Sequence, residues 1–145
     1  MDDIERYGLH IVHVLEEADL PPFAYTVGLC HTFVQPEILV YGLPKTTAHN
    51  LLNHLADQLR EGKKYAAGQI DDDLVEGYRV TFRIVPQPQY RTHLGWAAWF
   101  NERPDFPALQ LIYPDRQGQW PWDEGASADF RHQQIVLADA NSDGV

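Results

Sequence analysis

Cys30 is the only cysteine in this chain. That rules out an intrachain disulfide and a Cys-rich metal site. Serine is nearly as scarce: Ser127 and Ser142 lie in polar segments, neither within a Gly-x-Ser-x-Gly elbow, so the serine-hydrolase pattern is missing. Neither a Walker sequence nor a dinucleotide-binding glycine fingerprint occurs. No apolar run approaches the roughly 18 residues of a membrane helix. The acidic start, Met1-Asp2-Asp3-Ile4-Glu5-Arg6, lacks the apolar core of a signal peptide. Basic residues are few: 11 Lys and Arg against 21 Asp and Glu, a formal net charge of −10. Such a surface repels phosphate backbones, which argues against nucleic acid as a partner. It suits a basic protein partner or serves solubility alone, and the expected location is cytoplasmic, with no membrane contact.

What the chain does have is core-forming material. A hydrophobic fraction of 44% with 12% aromatics excludes disorder, and 145 residues fit one domain with one ordinary core. Gly8 to Glu16 is apolar on both faces of a period-2 pattern and reads as a buried strand. After a proline turn, Phe23 to Leu29 and Glu37 to Gly42 read as an antiparallel pair around a loop at Cys30 to Gln35. Leu51, Leu52, Leu55 and Leu59 recur at helical spacing, with Thr46 or Thr47 as cap and Gly62 as stop. Lys63 to Asp73 is polar and reads as an exposed loop, and Tyr78 to Val85 as a half-buried strand. A second helix fits Tyr90 to Asn101, and further strands fit Pro107 to Tyr113 and, at an edge, Phe130 to Leu137. Between those last two come a turn at Pro114 to Gly118 and a short extended piece, Gln119 to Asp123. Ala138 to Val145 reads as a frayed tail. Strands and helices do not alternate strictly, so the expected fold is α+β, a mainly antiparallel sheet packed against one or two helices, in one domain over residues 1–137.

Candidate chemistry is sparse. Seven histidines invite a metal, but His10 and His13 fall on opposite faces of a strand, and His49 and His54 are five apart on a helix. Neither spacing is a zinc pattern, so no metal and no cofactor is expected. Cys30 beside His31 supplies the residue types of a thiol nucleophile, yet neighbours at a strand end diverge. Glu37, behind Pro36, is a lone candidate acid or base; with His31 it is the weak catalytic choice. Arg79 and Arg83 flank Thr81 at a spacing that lets two guanidiniums grip one anion, or simply forms a solvated face. Tyr113 and Asp115, followed by Trp120-Pro121-Trp122, make an aromatic turn beside acids. Tryptophans there present a rigid binding surface or plug the end of the sheet.

Pro21-Pro22-Phe23-Ala24-Tyr25-Thr26-Val27-Gly28-Leu29 and Pro36-Glu37-Ile38-Leu39-Val40-Tyr41-Gly42-Leu43 are two runs opened by proline and closed by Gly-Leu. With Leu51-Leu52-Asn53 and the stretch from Leu109-Gln110 through Pro114-Asp115 to Trp120-Pro121-Trp122, the sequence resembles the bacterial family known as domain of unknown function 4262. The resemblance covers about Gly8 to Asp123 and implies a small stand-alone protein with no catalytic residues to transfer.

Two functional readings follow. One is a protein-binding module, immunity- or adaptor-like, that engages a basic partner through Tyr113, Asp115, Trp120 and Trp122. The alternative is an enzyme or small-ligand binder with a pocket at the ends of the first three strands, lined by Tyr25 or Thr26, His31, Glu37 and His10, where Gly28 and Gly42 let backbone approach a ligand. Neither reading fixes the oligomeric state or strand order.

Overall fold

The computed structural model describes residues 9–16, 21–75, 77–86 and 107–137. Six strands form one sheet: β1 His10–Val14, β2 Phe23–Val27, β3 Glu37–Tyr41, β4 Ile70–Val75, β5 Tyr78–Ile84 and β6 Ala108–Ile112. Their order is β1-β2-β3-β6-β5-β4. Every neighbouring pair is antiparallel except β3 and β6, which run parallel with Leu39 opposite Gln110. Three helices lie among the described residues: α1 Leu29–Phe33, α2 Lys45–Arg60 and α3 Ala128–Gln133. The fold is α+β, as the residue pattern implies. The proposed helix at Tyr90 to Asn101 and the tail from Ala138 lie outside the described residues.

The leucine stripe does what its period dictates. Ala48, Leu52, Leu55, Ala56 and Leu59 are buried along one face of α2, packing in one cluster with Ala24, Ile38, Val40, Val80, Phe82, Leu109 and Leu111 of the sheet. Each fully buried leucine contributes about 1.5–3 kcal/mol. The opposite sheet face carries Phe23, Tyr25, Val27, Leu39 and Tyr41, against which Leu137 and Ile135 pack. Thr46 and Thr47 do not cap α2: the N-cap is Pro44, which makes no side-chain cap bond, so the helix starts at Lys45, ahead of both threonines. Gly62, at φ +99°, follows the last turn.

Several elements differ from the sequence expectation. Cys30 to Gln35 is mostly α1 rather than loop, because Glu37 supplies acceptors for its first amides. The polar run Lys63 to Asp73 ends in strand from Ile70 on: Asp71 is buried, accepts from the amides of Asp73 and Leu74, and meets Lys63 Nζ at 2.7 Å. Burial raises the Asp71 carboxyl, but Lys63 and the two amides outweigh it and hold the group below its ordinary value. Phe130 to Leu137 is not an edge strand. Ser127 Oγ accepts from the Phe130 amide and Asp129 sits in the first turn, so α3 forms instead. Gln119 to Asp123 is a turn closed by the Asp123 amide on the Trp120 carbonyl, not an extended piece.

Val34 ends α1 at φ 53° with its side chain 86% exposed. A β-branched residue is strained in the left-handed region, and here the side chain gains no burial in return. Val34→Asn is expected to raise stability by about 1 kcal/mol, since asparagine tolerates that conformation. A denaturation midpoint that stays put or falls counts against the strain.

Candidate functional site

Glu37 is the most heavily engaged polar group in the structure's core. The strand β3 begins with it, and its side chain turns toward the β2–α1 junction. Thr26 Oγ1 donates to Oε1 at 2.9 Å and the Leu29 amide donates to the same oxygen at 3.0 Å. The Gly28 and Cys30 amides donate to Oε2 at 3.2 and 3.3 Å. Thr26 Oγ1 in turn accepts from the Ile38 amide. Gly28, at φ +113°, makes the turn that aims three successive amides at one carboxylate. Burial pushes the Glu37 carboxyl up, opposed by the Thr26 hydroxyl and these three amides. Both oxygens are occupied and the residue is fully buried, so this carboxylate fastens a helix start to a strand start.

The remaining residues of the strand-end reading do not join it. Tyr25 is buried on the opposite sheet face beside Phe23. His31 is exposed on α1, and His10 lies opposite Val27 on β1. None of the four cavities described below is lined by Tyr25, Thr26, His31, Glu37 or His10. The cavity that does sit at strand ends lies at the other end, where His13 to Glu16, Pro21 to Ala24 and Gly42 to Lys45 enclose about 780 Å³ with His132 and Asp129 of α3. Nothing in the sequence points to the contact beside it: His13 Nε2 lies 3.1 Å from His49 Nδ1, joining β1 to α2. Their ring centroids are 5.4 Å apart at 27°. That separation is the nitrogen distance plus two ring radii of about 1.15 Å each, so the nitrogens meet head-on across a shared proton rather than converging on a metal. Burial, then the charges of His49, Lys45 and His10, hold His13 below its ordinary pKa. Among the described residues no three His, Cys, Asp or Glu side chains group as metal ligands.

The aromatic turn divides between two surfaces. Tyr113 Oη donates to the Tyr41 carbonyl at 2.7 Å, and its ring meets Phe130 edge-on. Asp115 Oδ1 accepts from the amides of Gln117 and Gln119 and shapes the turn. Both line a cleft of about 850 Å³ between α2, β5 and α3. Trp120 and Trp122 instead stack, ring centroids 5.5 Å apart and planes within 10°. Arg83 Cζ sits 3.8 Å over the Trp122 ring, so Arg83 does not work jointly with Arg79. Arg79 lines a separate cavity of about 430 Å³ with Asp72 and Arg116. Among the described residues neither tryptophan is grouped with the buried core; Trp122 is 36% exposed. The two rings form one wall of a shallow cavity of about 450 Å³ with Ile70, Thr81, Arg83 and Ile84. Ile70 and Ile84 are 57% and 63% exposed.

The pair is held in place. The Trp120 amide donates to Asp123 Oδ2, the Asp123 amide to the Trp120 carbonyl, and an Arg131 guanidinium of α3 to the Asp123 carbonyl. Three buried glutamines fix the surrounding segments by bonding both polar atoms of their amides to backbone. Gln35 bonds Tyr65, Gln110 bonds Ile135 and Leu137, and Gln134 bonds Tyr113. No sequence pattern marks these contacts, since each joins residues more than 20 apart.

A family model described as Domain of unknown function (DUF4262) matches residues 3–127. No curated protein and no solved structure matches the chain. No helix among the described residues is long and apolar enough to cross a membrane.

Proposed function

We propose, given that the chain belongs to the DUF4262 family of unknown function, that it is a protein-binding module whose contact surface is the Trp120–Trp122 stack. The observation that carries this reading is the arrangement of large apolar groups in solvent. A stacked tryptophan pair, braced by Arg83 on one side, stands beside exposed Ile70 and Ile84. Binding hot spots are built from Trp and Arg because they deliver wide contact area at low cost in side-chain entropy. Pro121 and the Asp123 bonds fix the rings before any partner arrives, which lowers the ordering cost of association.

The charge selects the partner class. With a net charge of −10, and Asp123 and Glu124 next to Trp122, the surface favours a basic segment. The aliphatic stems of its Lys or Arg side chains would lie on the tryptophans and the exposed isoleucines, with the cationic heads reaching the carboxylates.

A displayed peptide library selected on the purified chain tests this. Selected binders are expected to be rich in Lys or Arg beside apolar residues, and Trp122→Ala should weaken them about tenfold or more. Leu15→Ser, at an exposed apolar side chain away from the stack, should leave them unchanged. Binders equally tight on the Trp120→Ala and Trp122→Ala variants, both still folded, would remove this surface from consideration.

A further inference from the structure

We infer that the cleft between α2, β5 and the turn after β6 is a binding site for a small carboxylate with an apolar body. The cleft lies beyond the carboxyl ends of the parallel strands β3 and β6, the position where α/β arrangements place ligands, because the chain leaves each strand there in a different direction. β3 departs through Gly42 and Leu43 into α2, and β6 through Tyr113 and Pro114 into the turn. The space left between these departures is about 850 Å³, within the range of roughly 300–1,000 Å³ typical of small-molecule sites.

The lining separates into a floor and a rim. Leu51, Leu74, Val80, Tyr113 and Phe130 make the floor apolar and aromatic. The floor's phenol is already committed, Tyr113 Oη to the Tyr41 carbonyl, so the floor offers a ligand no polar contact; the lining's other phenol, Tyr78, stands on the exposed side. At the rim, Asn50 and His54 project from α2, one helical turn apart, and Arg116 comes from the turn opposite. Among the described residues these three side chains have no hydrogen-bond or ion-pair partner, whereas the rim's acid, Asp115, has Oδ1 tied to the amides of Gln117 and Gln119. The free rim chemistry is therefore weighted toward donors, led by a guanidinium whose planar fork matches a carboxylate. An apolar body on the floor and a carboxylate at Arg116 satisfy both parts together.

This site shares no lining residue with the cavity beside Trp122, so it stands or falls independently of the protein-binding reading. The test uses three probes, benzoate, indole-3-acetate and octanoate, each beside its neutral amide, titrated into the full chain and followed by amide and methyl NMR shifts. Saturable shifts are expected at Leu51, Val80 and Tyr113 for at least one carboxylate, bound about tenfold more tightly than its amide. Arg116→Gln, a change at an exposed turn residue, should remove that preference while leaving the amide's affinity within twofold. Thr47→Trp, at the cleft mouth, should weaken acid and amide alike. The inference is overturned if no carboxylate gives saturable shifts there up to about 10 mM, an affinity weaker than about −2.7 kcal/mol. It is equally overturned if the acid and amide bind alike, or if the shifts gather at Trp120 and Trp122.

Discussion

Glu37→Ala is expected to lower stability by about 3–5 kcal/mol, as much as truncating a fully buried aromatic side chain. The carboxylate is fully buried and accepts from the Thr26 hydroxyl and from the amides of Gly28, Leu29 and Cys30. Alanine leaves four donors facing an apolar space at the seam between β2, α1 and β3, and each unsatisfied buried donor costs about 1–3 kcal/mol before relaxation. Relaxation is the reason the sum is not additive: α1 has only five residues, and it can fray to let water reach its amides. Glu37→Gln separates shape from acceptor count. Glutamine fills the same volume but offers a single carbonyl oxygen, so its amide nitrogen must face donors, and a loss of about 2–3 kcal/mol is expected. Urea denaturation at unchanged m-value measures both. A Glu37→Ala protein within about 1 kcal/mol of the parent would mean that the carboxylate does not hold the seam, and would return Glu37 to consideration as a chemical group.

That role shows how far the sequence reading reaches. Five of the six strands are legible because Val, Ile and aromatic residues run between prolines and glycines, and α2 because Leu51, Leu52, Leu55 and Leu59 keep helical spacing over more than two turns. Glu37 itself could be singled out as a carboxylate at a strand start. Its true partners could not, since the cap of α1 lies eight residues beyond Leu29 in another element. A local pattern sees at Cys30 to Gln35 only a short mixed run, with Phe33 and Val34 between polar residues and no helical period. The strand β4 fails for the same reason: Asp71, Asp72 and Asp73 look solvated until Lys63 and the backbone turn one of them inward. The α3 helix was different. Ser127 as cap and Asp129 in the first turn are signals within the sequence, but the apolar Ile135, Val136 and Leu137 just beyond them carry a strand-like composition, although they belong to a separate segment fastened by Gln110. At the surface, the tryptophan pair was evident, while Arg83 over Trp122 required β5 to sit beside β6 in the sheet. The donors around the cleft meet only through that same topology.

The Gly-Leu closures were also visible as words without reasons, and Gly42→Ala supplies a test of the reason. Gly42 has φ +82°, and a Cβ placed there would lie 2.3 Å from the Gln133 carbonyl oxygen, 2.9 Å from Gln133 Cγ and 2.9 Å from Tyr113 Oη. Two costs are superposed. Left-handed backbone costs alanine about 1–2 kcal/mol wherever it occurs, and Gly118→Ala isolates that term, because at φ +80° its Cβ meets nothing within 4 Å. The second cost is particular to Gly42. The closest atom is backbone at the end of α3, so the helix itself must move. Moving it strains Gln133 Nε2 to the Gly42 carbonyl, the bond that seats α3 on the end of β3, and disturbs Tyr113 Oη to the Tyr41 carbonyl, which ties the end of β6 to β3 beside it. Gly42→Ala is therefore expected to cost about 3–5 kcal/mol in all, in the range reserved for steric conflict in a packed interior. Hydrogen exchange should locate the damage: the Arg131 and Gln134 amides, bonded to the Ser127 and Phe130 carbonyls, should lose protection before those of α2. If Gly42→Ala and Gly118→Ala cost the same within about 0.5 kcal/mol, then conformation alone explains the glycine, and α3 does not depend on this close approach. If the larger loss appears with α3 released, the glycine is there because a helix end rests on the backbone at the end of a strand, where no side chain fits.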